Sequence, residues 1–385
     1  MLTNNLYKLM NSKKFLYLSV FLTLLLIIAY LLNKGPIYTS PDTSLYLKWA
    51  ESLINLKFNF YDFFKQNSFA VPIYFYTIQI ILVATTNFFF ENNWYHVLFG
   101  LNLLFVFLSV LFFLKILLMI GIRPIIISFC VPLILISPDW MSFPSWILTD
   151  TFYSFLVIFL TYIITSSLIK ENFSYNSIIY ILILMIFTRP AFPPIILAVT
   201  TFILIYKYNI QIKPKLLFIL FFLFFLITPI CFTFAHYLGG IYFNENSTWL
   251  YWSNLADKGI VIWKRYETYT LPPNTFFDHV FFYFLKLISF FKPYANTFSK
   301  FHIIVNIIQL FYFVFSIYLW SIFSGENKVL DRIIIFILLL TIYVSAYHSF
   351  ILIDWDWRYR YPIILPLMII LPISLEIFFR KYFKK

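Results

Sequence analysis

The sequence predicts an all-α, polytopic membrane protein that forms one domain over residues 1–385, and three observations support this prediction. Of the 385 residues, 62% are hydrophobic and 11% are charged, whereas a soluble domain has about 25% charged residues. The mean hydropathy is +0.86. Apolar stretches of about 20 residues, the length that a helix needs to cross a bilayer, recur along the chain. No polar segment is long enough to form a separate soluble domain.

These stretches predict about ten transmembrane helices, with a range of about 9 to 12. Lysines precede the first stretch, so the N-terminus is expected in the cytoplasm, and an even number of spans returns the C-terminus there. A crossing at 69–90 would reverse the side of every later loop, so we expect juxtamembrane helices within a long first external loop, 34–96. A second large external loop is expected at 236–300. The predicted spans are 15–32, 97–120, 124–137, 151–168, 178–187 paired with 194–206, 216–234, 303–323, 333–353 and 362–379.

The charges favour a membrane partner over nucleic acid, although the net charge is +12. Lysines and arginines are spread over short loops and form no dense patch, so we expect a cell (plasma or inner) membrane protein surrounded by membrane lipids. The acids divide unevenly between the predicted sides, which indicates a working external face; a merely solvated outer surface is the alternative. The acids expected inside are Glu171, Glu326, Asp331 and Glu376, and those expected outside are Asp42, Asp139, Asp150, Asp257, Asp278, Asp354 and Asp356.

Asp42 heads a short predicted helix just after the first span. A Ser-Pro pair precedes it, as is typical of a helix start. Apolar residues spaced as Tyr46, Trp49, Leu53 and Ile54 predict one apolar face. Such a helix can lie on the bilayer and hold Asp42 at the mouth of a cavity. The alternative is that Asp42 only complements the helix dipole.

Arg189 lies in the sequence TRPAFPP, which interrupts an apolar stretch between Lys170 and Lys207. A hairpin would keep both lysines in the cytoplasm, with arms of roughly 22 Å against a hydrocarbon core of about 30 Å. Arg189 is therefore expected below the outer surface, where a cation needs a partner. A lipid phosphate is one candidate, because a guanidinium binds it through two parallel hydrogen bonds. A structural ion pair with Asp150 or Asp139 is the other.

The last external loop, ILIDWDWRYRYP, places acids and arginines four residues apart. Asp354 would meet Arg358 and Asp356 would meet Arg360 in a helix, and an extended chain would put all four on one face. The loop is either a salt-bridged cap with aromatic anchors or a contact for phosphate or sugar.

Four features, in chain order, resemble the C-type membrane glycosyltransferases, including bacterial relatives of the protein mannosyltransferases and the aminoarabinose lipid A transferases. They are the Asp-x-x-x-Tyr helix from Asp42 to Tyr46, the segment from Pro138 closing with LTDTFYSFLVIFLTY, the short helix ending in TRPAF, and RYRYPIILPLMIILP before the final span. Thr43 stands where the family often has a second acid, and Arg189 where it commonly has Lys. The appended soluble domain of some members is absent from this sequence.

The resemblance implies an enzyme that transfers a sugar from a polyprenyl-phosphate donor to a glycan, lipid or protein acceptor on the external face. In that scheme Asp42 is the general base, or helps to hold a divalent metal, since members differ in metal use. No other cofactor is indicated. Asp139, Asp150 and Tyr46 would line the cavity, and Arg189, Arg358 and Arg360 would bind the donor phosphate. A lipid-linked glycan flippase or an O-antigen-type polysaccharide polymerase is the alternative.

Overall fold

A computed structural model describes residues 10–34, 41–67, 73–135, 137–238, 276–294, 299–350 and 357–382. This part of the chain is helical and holds no β-strand, which confirms the predicted all-α class. The helices of the first half are α1 (Lys13–Lys34), α2 (Pro41–Asn55), α3 (Phe60–Gln66), α4 (Thr77–Phe90), α5 (Trp94–Met119), α6 (Pro124–Leu135) and α7 (Pro138–Ser142). Those of the second half are α8 (Asp150–Ile169), α9 (Tyr175–Ile186), α10 (Pro193–Lys207), α11 (Pro214–Leu238), α12 (Phe276–Phe291), α13 (Lys300–Phe323), α14 (Lys328–Phe350) and α15 (Tyr361–Tyr382).

Within the described ranges, six helical stretches are long and apolar enough to cross a membrane. This finding indicates a membrane protein, but it does not reach the ten spans predicted from the sequence. The other predicted spans correspond to shorter or partly described helices. Two of these, α6 and α9, have 12 residues each, which make about 18 Å of helix. The six stretches are Lys13–Asn33, Ile73–Met119, Asp150–Ile169, Lys300–Phe323, Lys328–Ser349 and Tyr361–Tyr382.

The stretch from Ile73 to Met119 is divided at Glu91. That residue has a φ of 40°, a positive value that residues other than glycine rarely adopt, and it separates α4 from the next helix. The 14 residues of α4 make about 21 Å of helix, which is too short for the hydrocarbon core. The segment before residue 91 is therefore a separate helix from the one that follows it. Its predicted place as a juxtamembrane helix in a long first external loop stays a prediction.

The core of the bundle is built around α15. From residue 361 to residue 375 its sequence is almost wholly apolar, and all but two of these side chains are buried. This is expected for a helix that is enclosed by other helices. It packs against α6, α8, α13 and α14. By contrast, only about a third of the residues in the apolar parts of α1 and α13 are buried. These two helices therefore lie at the rim of the bundle and expose most of their apolar surface.

A polar contact joins the end of α15 to the start of α6. The buried Glu376 carboxylate accepts hydrogen bonds from the backbone N–H of Arg123 at 3.0 Å, from its Nε at 3.1 Å, and from the Nε of Arg380 at 2.9 Å. A buried carboxylate needs such partners. Glu376 therefore has a structural explanation that involves no chemistry.

The predicted break around Arg189 is present. α9 ends at Ile186 and α10 begins at Pro193, with Pro193 and Pro194 at the start of the new helix. The two arms pack on different neighbours: α9 lies against α8, and α10 lies against α14. The turn between them is therefore enclosed by other helices, and this places Arg189 inside the protein.

Candidate functional site

The helix α2 has the amphipathic character predicted for it. Tyr46, Trp49 and Leu53 are buried, whereas Lys48 and Glu51 on the other side are exposed. The buried face packs against α4. Asp42 lies in the first turn and is partly exposed, so the helix holds this carboxylate at the edge of the bundle.

Tyr46 lies near three of the other predicted site residues. Its ring lies 5.4 Å from that of Tyr76. The pKa of the Tyr46 phenol is raised well above its ordinary value, first by burial and then by Tyr76 and the carboxylate of Asp42, while Arg189 lowers it and Asp150 raises it. Asp42, Arg189 and Asp150 therefore all lie within electrostatic range of one phenol.

Asp150 and Arg189 form a buried ion pair. The Arg189 Nη1 donates to Asp150 Oδ1, and the two residues are 5% and 1% exposed respectively. Asp150 lies in the first turn of α8, where the helix dipole favours a negative charge. The sequence left two kinds of partner open for Arg189, a lipid phosphate or a carboxylate. The structure shows a carboxylate partner, which is that of Asp150.

The guanidinium of Arg189 also packs on an aromatic ring from the far end of the chain. Its Cζ lies 5.2 Å from the ring centroid of Tyr359, which belongs to a short 3-10 turn, Trp357–Arg360, just before α15. A cation over the face of an aromatic ring is stabilised by the ring quadrupole. The last predicted external loop thus does reach Arg189, through a tyrosine.

Two tyrosines that the sequence analysis did not single out hold the turn in place. Tyr153 donates its hydroxyl to the carbonyl of Ala191 at 2.8 Å, and Tyr347 donates to the carbonyl of Pro190 at 2.9 Å. A turn without helical hydrogen bonds needs such partners for its carbonyls inside a membrane bundle. Tyr153 follows Asp150 by three residues and so shares its helix face, a signal that was available in the sequence; Tyr347 had none.

The segment between α7 and α8 is tied down in the same manner. Asn102 donates to the carbonyls of Pro144 at 3.0 Å and Trp146 at 3.3 Å. Thr43 of α2 donates to the carbonyl of Ile147 at 3.2 Å. Thr43 stands where the resembled family often has a second acid, and here it is a buried link between α2 and the approach to Asp150.

Several of the remaining predicted residues lie wholly or partly outside the described part of the structure. Asp139 lies on α7 and Arg358 in the turn before α15, but their side chains are outside the described part of the structure. Asp354 and Asp356, and most of the loop 236–300, also lie outside it. Arg360 donates from Nη1 to the carbonyl of Lys292 at 2.8 Å, so it contacts the segment that directly follows α12.

The sequence analysis did not single out two buried residues with basic side chains, His348 and Lys286. His348 is buried on α14, with its ring centroid 5.0 Å from that of Tyr359. Lys286 is buried on α12, and both Lys286 and Arg360 lie within electrostatic range of His348. A lysine inside the apolar run FFDHVFFYFLKLISFF was a readable signal, because such residues are rare in a membrane unless they have a role.

A metal site does not assemble from the described residues. Among them, no group of three or more His, Cys, Asp or Glu side chains converges, and Asp150 is already bound by Arg189. The divalent metal considered as an alternative role for Asp42 stays a prediction.

Comparison with known proteins adds no further assignment: no protein-family model, no curated protein and no solved structure matches this chain.

Proposed function

We propose that this chain is an integral-membrane glycosyltransferase that moves a sugar from a polyprenyl-phosphate donor to an acceptor on the extracytoplasmic face of the cell membrane. About ten spans, cytoplasmic termini and a glycan, lipid or protein acceptor belong to the proposal. The observation that supports it most is the buried guanidinium of Arg189, which Asp150 and the ring of Tyr359 hold in place. The partly exposed carboxylate of Asp42 lies on α2, whose Tyr46 is within electrostatic range of both Asp42 and Arg189.

The chemistry of transfer needs these two groups. The acceptor hydroxyl attacks the anomeric carbon, the bond from that carbon to the phosphate oxygen breaks, and its electron pair leaves with the lipid phosphate. Asp42 takes the proton of the acceptor hydroxyl. Arg189 stabilises the negative charge that grows on the phosphate. The donor keeps its lipid in the bilayer throughout, so a cation buried among membrane helices is in a suitable place.

Asp150 has a positioning role in this proposal. Its carboxylate fixes the guanidinium of Arg189 from one side, while the ring of Tyr359 covers a face of it. A guanidinium has five N–H donors in a fixed plane, so it can bind a carboxylate and a phosphate together. Arg358 is proposed as a further phosphate contact and Asp139 as a cavity residue, whereas Arg360, which binds the carbonyl of Lys292 after α12, is given no part in the transfer.

The proposal is tested with purified protein, a panel of polyprenyl-phosphate sugars and mass spectrometry of the products. Asp42→Asn should lower transfer by about 10²- to 10⁴-fold, the usual contribution of a general base, with the amount of folded protein unchanged. Glu51→Gln is the matched control, because Glu51 is exposed on the same helix. Equal transfer by both variants would remove Asp42 from the chemistry. Product formation only when both substrates are lipid-linked would favour the polymerase.

A further inference from the structure

A cavity between α12, α13 and α15 contains polar groups that the proposed transfer does not use. Its volume is about 80 Å³. Its walls are mostly apolar, with Phe290 from α12, Phe313 from α13 and Leu367 from α15, and the guanidinium of Arg360 is part of the lining. Since a single water needs roughly 10–15 Å³ measured in this way, the space can hold a group of several oxygen atoms.

Two amides of α13 line the cavity, and each has one buried atom to which no described residue offers a hydrogen bond. Asn306 is 5% exposed and Gln309 is 9% exposed. Asn306 Nδ2 donates to the carbonyl of Pro293 at 3.2 Å, which fixes the orientation of this amide. Its Oδ1, and the Nε2 of Gln309, have no hydrogen-bond partner among the residues that the structure describes.

The membrane setting makes these atoms costly. α13 is one of the six stretches that can cross a bilayer, and hydrocarbon offers no hydrogen bonds to a polar atom. An acceptor on Asn306 and a donor on Gln309, one helical turn apart, together match a hydroxyl group, which accepts one hydrogen bond and donates another.

Arg360 adds a positively charged group to the same cavity. Its Nη1 binds the carbonyl of Lys292, next to the Pro293 carbonyl that Asn306 binds. The guanidinium and the amide are thus held by the same short segment after α12. A guanidinium beside a hydroxyl-binding pair suits a phosphate that carries a hydroxylated substituent, and the apolar walls suit the chains of a lipid.

We infer that this cavity binds a lipid phosphate whose headgroup carries hydroxyl groups, with the phosphate on Arg360 and a hydroxyl between Asn306 and Gln309. Two sources share this chemistry: a phosphatidylglycerol-type membrane lipid and a polyprenyl-phosphate sugar. The inference goes beyond the proposed transfer, because it concerns binding at residues other than Asp42, Asp150 and Arg189, and binding can be measured without any transfer.

The binding experiment is native mass spectrometry of the full chain in detergent, titrated with phosphatidylglycerol and with phosphatidylcholine of the same acyl chains. Phosphatidylcholine keeps the phosphate but has no hydroxyl. We expect phosphatidylglycerol to bind at least about tenfold more tightly, and Gln309→Leu to remove most of this preference. In a third titration, displacement of phosphatidylglycerol by a polyprenyl-phosphate sugar would assign the site to that lipid, and failure to displace it would assign the site to the membrane lipid.

The stability of the variants separates binding from folding. A buried amide without a partner destabilises the lipid-free protein, so Gln309→Leu should keep or raise the thermal midpoint in lipid-free detergent. The same variant should abolish the rise in the midpoint that phosphatidylglycerol produces. Gln79→Leu is the matched control, because Gln79 is a buried glutamine of α4 outside the cavity, and it should retain the lipid response. Equal binding of the two lipids by the unmodified chain, or an unchanged lipid response in Gln309→Leu, would show that the amides hold only water and would overturn the inference.

Discussion

The buried pair of Asp150 and Arg189 allows a structural role and a chemical role to be separated by experiment. Replacing Arg189 by Met leaves the Asp150 carboxylate buried without its cation, and breaking such a pair costs about 3–5 kcal/mol. Loss of the contact with Tyr359 adds about 0.5–2 kcal/mol. Asp150→Leu should cost a similar amount, because it leaves the guanidinium uncompensated.

The double variant Arg189→Met/Asp150→Leu is the informative one. Replacing both members of a buried ion pair by apolar residues is often neutral or stabilising by about 1–4 kcal/mol relative to the pair. The double variant should therefore recover most of the stability that each single variant loses. If Arg189 stabilises the departing phosphate, transfer should stay about 10²- to 10³-fold lower despite the recovered fold.

Thermal unfolding followed by tryptophan fluorescence measures the stability of each variant, and mass spectrometry of the products measures its transfer activity. Lys381→Met is the control, since it breaks the exposed pair between Lys381 and Glu326 and should change the stability by less than about 1 kcal/mol. A double variant that regains both stability and transfer would show that the pair is structural. A single Arg189→Met variant as stable as the unmodified chain would refute the reasoning from burial.

Two further predictions concern tyrosines. Tyr347→Phe loses the hydrogen bond to the Pro190 carbonyl, so it should raise KM for the donor several-fold, with a stability loss of about 1 kcal/mol; Tyr343→Phe, which removes a hydroxyl that contacts Thr201 on α10, should lose similar stability and leave KM unchanged. Because the pKa of Tyr46 is raised by burial, its phenol keeps its proton above pH 10 in the folded chain but not in the unfolded chain. The resulting stabilisation is present below about pH 10 and is lost as the pH rises from there towards the folded pKa, and Tyr46→Phe should reduce that alkaline loss of the thermal midpoint.

Local features of the fold could be predicted from the sequence. The spacing of Tyr46, Trp49 and Leu53 determines which face of α2 is buried, since a helix without an apolar face has no reason to pack. The prolines around Arg189 end one helix and begin another. The high cost of a lone cation in a membrane limited the partners of Arg189 to a few anions, and Asp150 was one of them.

The partners that come from distant elements could not be predicted. Tyr347 contacts Pro190 across 157 positions of the chain, and helical periodicity shows which face a residue occupies but not which helix lies opposite. Asn306 and Gln309 were passed over because isolated amides in an apolar helix do not reveal whether they bind each other, a neighbour or a ligand. The predicted number of about ten spans stays a prediction, because α6 and α9, with 12 residues each, make only about 18 Å of helix.

The two proposed sites meet at one short segment, and this predicts that they are coupled. Tyr359 covers Arg189, and the adjacent Arg360 lines the lipid cavity; both belong to the single 3-10 turn before α15. A ligand at either site must order the same turn, so the second ligand binds to a turn that is already ordered. We expect phosphatidylglycerol to lower KM for the donor by at least about fivefold, and Gln309→Leu to abolish the effect. By reciprocity, a non-hydrolysable donor analogue should tighten lipid binding by the same factor that phosphatidylglycerol tightens binding of the analogue, and a factor of one in both directions would show that the turn transmits nothing.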